Sequence, residues 1–386
     1  MRKHVGLVAA AVVTLVAVTA CMPPPAGRGP APNYTVSTVV GGLDHVWDVA
    51  FAPGNWMVYD ERAGNMWAKQ LPSGSPRLLG NLGALQASPA FVTQGEGGLL
   101  GLAIDPSFSS NHFLYACYDT TTDIRVVRFT VDPNFTASSL AIDSPIVTGM
   151  AVNTSIGRHS GCRPRFRPAS NPPQLFVGTG DTATPTAPGQ PSVAQNLQGL
   201  GGKILCVDRD GNPCAGNPGI GDPNIDDRIW SWGHRNVQGI AFTPGGLGYS
   251  VEHGTDRDDE INFMFQGNFG WDPSPGYDET KPMTGPGAIG AIWSSGSPTI
   301  APSGATFLTG SQWKGWNGAM AVSVLKGAQL RIVYLDDQFG LSTIGFSLTM
   351  TGAGRLRSAV EGPDGDLYVT TDNGGGTDQV LRTVPS

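Results

Sequence analysis

The sequence predicts an all-β chain folded as a six-bladed β-propeller, and three observations lead there. Glycine and proline are abundant, at 54 and 31 of 386 residues, while only 14% of residues are charged. That balance favours short strands joined by turns. Beyond the N-terminal segment, no long stretch keeps the 3.6-residue apolar spacing of an amphipathic helix. One unit recurs instead: an apolar strand, a proline-glycine type turn and a second strand, closing near an acidic residue or a glycine.

At the N-terminus, Arg2 and Lys3 precede an apolar or small run from Val5 to Ala20, followed by Cys21 and a proline cluster. The run is about 16 residues, short of the ~20 that span a bilayer as a helix. Residues 1–20 therefore read as a signal peptide. The segment resembles a bacterial lipoprotein signal, which implies lipidation of Cys21 and a protein exported to the outer face of the cell membrane, touching the membrane only through that lipid. Residues 21–32 read as a Pro/Gly-rich tether without a core, and residues 33–386 as the folded body. An uncleaved anchor helix is the alternative.

The repeat runs the length of the body. It reads "VAFAPGNWMVYDE" from Val49, "LAIDPSFSSNHFLYACYD" from Leu102, "PRFRPASNPPQLFVGTGD" from Pro164, "IAFTPGGLGYSVEHG" from Ile240 and "AVEGPDGDLYVTTD" from Ala359, with a degenerate copy, "GAMAVSVLKGAQLRIV", from Gly318. The first four units begin about 50 to 75 residues apart, which is long for a solenoid and suits four-stranded propeller blades with insertions. A pair of β-sandwiches is the competing layout, but it does not explain a repeat spanning the whole body.

Without Arg2 and Lys3, 22 basic residues face 31 acidic ones, a net charge of −9, and no long basic run exists. Nucleic acid is therefore not an expected partner. Apart from Cys21 the cysteines are Cys117, Cys162, Cys206 and Cys214, an even number that permits disulfides in an exported chain. Cys206 and Cys214 flank a turn and could be joined across a hairpin. Cys117 with Cys162 would then follow by elimination, with free buried thiols as the alternative.

Several motifs fail. Gly199 to Lys203 looks like a phosphate loop but continues with Ile204, no GxGxxG opens a helix, and no GxSxG is present. His45, His112 and His253 lack zinc-ligand spacing. His234 reads as structural, the acidic run Asp256, Asp258, Asp259, Glu260 as a solvated loop, and Trp230, Trp232 and Trp271 as blade packing.

Nine further segments remain: "GEGGLLGLAIDPSF" from Gly95, "GRHSG" from Gly157, "LGGKILCVDRDG" from Leu200, "GHRNVQG" from Gly233, "SVEHG" from Ser250, "NFGWD" from Asn268, "PTIAPSG" from Pro298, "VLKG" from Val324 and "GRLRSAVEGPDGDLYV" from Gly354. In this order the chain resembles the pyrroloquinoline quinone (PQQ)-dependent soluble sugar dehydrogenases, of the glucose/sorbosone or aldose sugar dehydrogenase type, from about Leu43 to Leu381. The resemblance implies His159 as general base, with Arg235 at the reacting centre and Asn236 beside it against the quinone. It implies Thr299, Lys326, Arg355 and Arg357 as further cofactor ligands, and Glu96 as a polar residue at the rim. The backbone carbonyls of Gly254 and Thr255 would hold a calcium ion. The implied substrate is an aldose or related alcohol, and the implied partner an external electron acceptor. The chain departs from the family pattern at Cys162, His253, Thr255 and Val237.

The chemistry of that set is coherent. PQQ carries three carboxylates, so its site needs cations, and Arg235, Lys326, Arg355 and Arg357 supply four. Arg-Leu-Arg on a strand turns both guanidiniums to one face, where arginine suits carboxylate contacts. Calcium would act as a Lewis acid on the quinone, and an imidazole can take a hydroxyl proton near neutral pH. Two alternatives stay open: a non-catalytic cell-surface propeller that binds a ligand or partner, and a calcium-dependent lactonase-like hydrolase. The second wants carboxylates and amides lining the channel, whereas this channel is predicted to be cationic.

Overall fold

A computed structural model describes residues 29–326, 329–334, 343–349 and 353–386, with the strand Thr343–Thr349 given by its backbone alone. The expected signal peptide, Cys21 and the first part of the tether lie outside the described residues. The end of the tether does not. The Gly315 N–H donates to the Pro30 carbonyl at 2.9 Å, and Ala31 packs against the cluster that holds Trp313 and Trp316. Ordered packing thus begins ahead of the expected boundary at residue 33.

The body is a ring of six blades, antiparallel but for one short parallel strand, Gly267–Asn268, at the edge of the third, and it is all-β apart from short helical turns. The innermost strands are Val49–Ala52, Leu99–Ile104, Gly161–Phe166, Val237–Phe242, Pro302–Phe307 and Leu356–Glu361, and each packs on the next around the axis. We number the blades 1 to 6 in that order. Blade 6 is completed by the N-terminal strand Tyr34–Leu43, which pairs antiparallel with Asp378–Pro385 in the register Tyr34↔Pro385. Joining the two ends of the chain in one sheet closes the ring without any separate clasp.

Five repeat units are the first two strands of blades 1, 2, 3, 4 and 6. In blade 1 the register Ala52↔Trp56 leaves Pro53, Gly54 and Asn55 in the turn. Gly54 and Asn55 have φ of 81° and 61°, a left-handed pair that glycine and asparagine adopt most readily. The degenerate unit from Gly318 is out of phase: it covers the second and third strands of blade 5, Met320–Val324 and Gln329–Tyr334. The inner strand of that blade, Pro302–Phe307, lacks the apolar run of the other units, being "PSGATF".

Small and apolar residues fill the spaces between blades, while the axis itself is polar. Asp48, fully buried before blade 1, receives Arg163 at 2.9 Å, both terminal nitrogens of Arg165 at 2.8 and 2.9 Å, and the Ser358 hydroxyl at 2.7 Å. Blades 1, 3 and 6 are thereby tied through one carboxylate. Burial opposes its ionisation, but the two arginines and the hydrogen bonds hold Asp48 far below the usual carboxylate range.

Both disulfides form. Cys206–Cys214 closes an eight-residue separation, and Cys117–Cys162 links the second strand of blade 2 to the inner strand of blade 3. Among the described residues no helix is long and apolar enough to cross a membrane.

Candidate active site

The segment Gly157–Gly161 leads into the inner strand of blade 3. Gly157 and Gly161 have positive φ, and a Cβ on Gly157 would lie 1.7 Å from the Gln94 carbonyl oxygen. The loop is therefore pressed against its neighbours, and His159, itself at φ 55°, is fixed with its ring only 3% exposed as a residue. Its Nδ1 lies 2.7 Å from Asp181 Oδ1. Asp181 also accepts the Ala183 N–H at 2.9 Å, the Trp271 indole N–H at 2.6 Å and the Tyr277 hydroxyl at 2.8 Å.

Burial alone would raise the pKa of Asp181, but His159, the Ala183 amide and Arg235 outweigh it and keep the carboxyl below its ordinary range. An ionised Asp181 accepts the Nδ1 proton and leaves Nε2 as the free basic nitrogen. Arg158 Nη2 stands 3.4 Å from that Nε2.

Arg235 comes from the loop before blade 4 and is nearly buried. Its Nη1 donates to the Gly254 carbonyl at 2.5 Å and the His253 carbonyl at 3.3 Å, its Nη2 to Glu279 at 2.6 Å, and its guanidinium lies 5.7 Å from the Trp271 ring centroid. The backbone of Arg235 is tied to both halves of the site: its carbonyl accepts the Asp181 N–H and its own N–H donates to Glu252. Asn236 accepts the Gly161 N–H and the Gln238 amide, and Gln238 in turn accepts Arg357 at 3.1 Å. Burial, with Arg357, Arg235 and His159 close by, pushes His253 well below its usual pKa. These contacts make one contiguous polar centre.

The remaining expected ligands divide into two groups. Lys326 is exposed and its Nζ donates to Thr299 Oγ1 at 2.5 Å, which brings two of the expected cofactor ligands together. Arg355 and Arg357 both reach Asp372, but differently. Arg355 is exposed, and its side chain donates to the Asp372 carbonyl at 3.1 Å. Arg357 is buried, donates Nε and Nη2 to the Asp372 carboxylate, and stacks 4.1 Å from the Trp47 centroid. Expected to hold a cofactor carboxylate, Arg357 already has a carboxylate partner within the protein. Glu96 is half-buried at the rim, held through its N–H by the Gly157 carbonyl at 2.7 Å.

Other expectations change in detail. His234 is structural, as predicted: it is buried between Ser231 and Glu252, stacked on Phe269, and pushed by burial to a pKa of about 3. Lys203 of the phosphate-loop look-alike is buried and caps the carbonyls of Val193, Ala194 and Gly201. The acidic run is not wholly solvated, because Asp259 and Glu260 are buried. Asp259 accepts the N–H groups of Gly254, Ile300 and Ala301 and so fixes the turn that presents Gly254. Trp271 is a site residue as well as a packing one.

Asp181, Tyr277, Arg158 and Glu279 were not singled out from the sequence. For Asp181 a signal existed. The acids that close the five clear repeat units are Asp60, Asp119, Asp181, Glu252 and Asp372, and all are buried. Each holds a loop near the axis: Asp60 the Trp47 and Asp48 amides, Asp119 the Ser160 hydroxyl, Asp181 His159, Glu252 the Arg235 amide and Asp372 Arg357.

The residues present fit a polar, anionic ligand. Four buried polar atoms, Asn236 Nδ2, Arg235 Nε, His253 Nε2 and Glu96 Oε2, have no hydrogen-bond partner among the described residues, and such atoms call for hydrogen bonds from something else in the site. Calcium fits less simply, since the Gly254 oxygen that would bind it already accepts a guanidinium N–H.

A buried imidazole paired with a carboxylate, with arginines gathered beside it, marks the polar site of a six-bladed propeller. The chain belongs to the Glucose / Sorbosone dehydrogenase family, whose pattern it matches over residues 43–382. It is 30% identical over 373 residues to an uncharacterized protein of Synechocystis sp., covering 91% of this chain and 86% of that one. It is 27% identical over 368 residues to the aldose sugar dehydrogenase YliI of Escherichia coli, covering 92% and 93%. The solved structure of the PQQ-bound aldose sugar dehydrogenase from Streptomyces coelicolor superposes with a TM-score of 0.74 at 28% identity, covering 93% of this chain and all of that one.

Proposed function

We propose that the protein is a PQQ-dependent dehydrogenase that oxidises an aldose sugar or related alcohol, with His159 as the general base. The observation that carries this reading is the His159–Asp181 pair, set beside Arg235 and the unpartnered polar atoms of Asn236 and His253. PQQ, when bound, supplies a two-electron acceptor that takes the hydride from the carbon bearing the hydroxyl. His159 takes the hydroxyl proton at Nε2 while Asp181 stabilises the resulting imidazolium, as a buried carboxylate does for a catalytic histidine elsewhere. Arg235 and Asn236 would hold the quinone end. Lys326 with Thr299, and Arg355, would hold carboxylates, and Arg357 would act from behind them through Gln238. Glu96 would offer an acceptor to a hydroxyl at the rim.

Calcium belongs to the same proposal: the carbonyls of Gly254 and Thr255 would hold it, in competition with Arg235 for the first of them. Binding of PQQ that survives complete chelation undiminished would remove calcium from the account. We further propose that Cys21 carries a lipid, that the protein is anchored by it on the outer face of the cell membrane, and that electrons leave to an external acceptor. Cys21→Ser should yield an unlipidated precursor. A test of the function as a whole is dye reduction by purified protein given PQQ, calcium and a panel of aldoses. Sugar-dependent turnover is expected, and PQQ binding without turnover on any aldose or alcohol would favour the binding-module reading.

A further inference from the structure

Glu279 lies on the segment that crosses the mouth, and its carboxylate bridges two arginines, accepting Arg235 Nη2 at 2.6 Å and Arg158 Nη2 at 3.2 Å. One of those guanidiniums is 4% exposed and belongs to the centre of the site. The other adjoins His159 Nε2. Arg158, Arg235, Thr255, Arg257 and Glu279 line a cleft of about 520 Å³. Glu279 is therefore a protein carboxylate seated on the cation that an incoming anion would seek.

The way the segment is held divides it in two. Gly276 is bonded to Thr186 in both directions, at 2.8 and 2.9 Å, and Tyr277 is anchored on Asp181. Past Tyr277 the backbone is held by its own turn, with Asp278 accepting the Thr280 N–H and hydroxyl at 2.9 and 2.7 Å, while the Glu279 side chain is 41% exposed. The Glu279 side chain can turn toward solvent while Tyr277 stays on Asp181, so the orientation of His159 survives the movement.

We propose that Glu279 is an internal competitor for Arg235: an anionic ligand entering the mouth displaces it, and its charge sets the affinity of that ligand. This rests on the PQQ reading above and deepens it, PQQ being an anion with three carboxylates. Two carboxylates cannot share one guanidinium edge without repulsion, and an ion pair with a partner this exposed yields at small cost. Removing the Glu279 charge should accordingly tighten PQQ binding by about two- to five-fold, the range expected for an exposed pair. The difference should shrink as salt screens it.

The test is a titration of the full chain with PQQ followed by tryptophan fluorescence, for which Trp271 beside Arg235 is a built-in reporter. Wild type, Glu279→Gln and Glu279→Asp are compared at low and high sodium chloride, with thermal melting as a check of folding. Tighter binding by Glu279→Gln at low salt, converging with wild type at high salt, while Glu279→Asp stays near wild type, is the expected result. Equal or weaker binding by a folded Glu279→Gln, when wild type binds, overturns the competitor role and leaves the function reading intact. Failure of wild type and variant alike to bind PQQ overturns both.

Discussion

His159 Nδ1 stands 2.7 Å from Asp181 Oδ1, and the other oxygen of that carboxylate is pinned by Trp271 and Tyr277. The ring is thus held in one tautomer and one orientation by groups from two separate segments, Asp181 and the stretch from Trp271 to Tyr277. Asp181→Asn keeps the shape but can donate an N–H to Nδ1, which moves the ring proton to Nε2 and blocks it as an acceptor. Turnover at saturating PQQ and sugar should fall by roughly 10² to 10⁴, with PQQ affinity within a few-fold of wild type. Steady-state kinetics paired with a PQQ titration measures both, and retained turnover would mean that the tautomer does not matter.

The expected cofactor cations should separate by burial. Lys326→Ala and Arg355→Ala remove exposed side chains, so each should weaken PQQ binding at little cost to the fold. A lost charge-assisted hydrogen bond corresponds to about 1.5–3 kcal/mol of affinity. Arg357→Ala leaves the buried Asp372 carboxylate with His45 alone, and breaking a buried pair costs up to about 3–5 kcal/mol. Melting temperatures measured beside PQQ affinities should show only the Arg357 variant losing both.

The disulfide between Cys117 and Cys162 closes a separation of 45 residues, and its second cysteine lies three residues after His159. Chain-entropy arguments give it about 4 kcal/mol. Cys117→Ala/Cys162→Ala should unfold at distinctly lower denaturant concentration than wild type, whereas loss of Cys206–Cys214, with a separation of 8, should cost less. Equilibrium denaturation of the two double variants compares them.

Asp119 is buried under the Ser160 hydroxyl, and burial raises its pKa from the ordinary 3.8 to about 7. The folded state then holds this proton more tightly than the unfolded chain does. Its contribution is fully present below about pH 3.8 and is lost as pH rises toward 7, so stability falls across that window. Glu252, raised by burial to about 7 as well, acts in the same direction. Asp119→Asn should flatten the decline and stand closer to its acidic stability at pH 8. Unfolding free energies at intervals from pH 4 to 8 check this, and an unchanged slope would assign the decline to other groups.

Most of the ring was legible because a propeller repeats its local chemistry. A strand, a tight turn and a second strand can be read wherever the inner strand is apolar, as in "VAFAP" and "IAFTP". Blade 5 hid its inner strand because "PSGATF" has no such run, and its second hairpin took the place of the first. The closure of blade 6 by Tyr34–Leu43 was illegible for a different reason: its partner, Asp378–Pro385, lies at the other end of the chain, and register between such strands is set only by the completed ring.

The site was legible where a residue type is unusual in its setting, as at His159 and Arg235. Its supports were not, because Asp181 differs from Asp60 and Asp119 only in which loop folds over it. Tyr277 and Glu279 lie in an insertion with no repeat to mark them. The internal pairing of Arg357 was also hidden, since a sequence gives the charge of a side chain but not the neighbour that neutralises it.

The central claim is that His159 removes a proton from a sugar as bound PQQ is reduced. The most direct measurement is a rapid-mixing experiment in which PQQ-loaded wild type and His159→Ala meet an aldose without any electron acceptor, while the cofactor spectrum is followed. Sugar-dependent reduction is expected in wild type, and a rate lower by roughly 10² to 10⁴ in the variant at comparable PQQ occupancy. Equal rates in the two proteins, or no reduction of bound PQQ in wild type by any aldose or related alcohol, would contradict it.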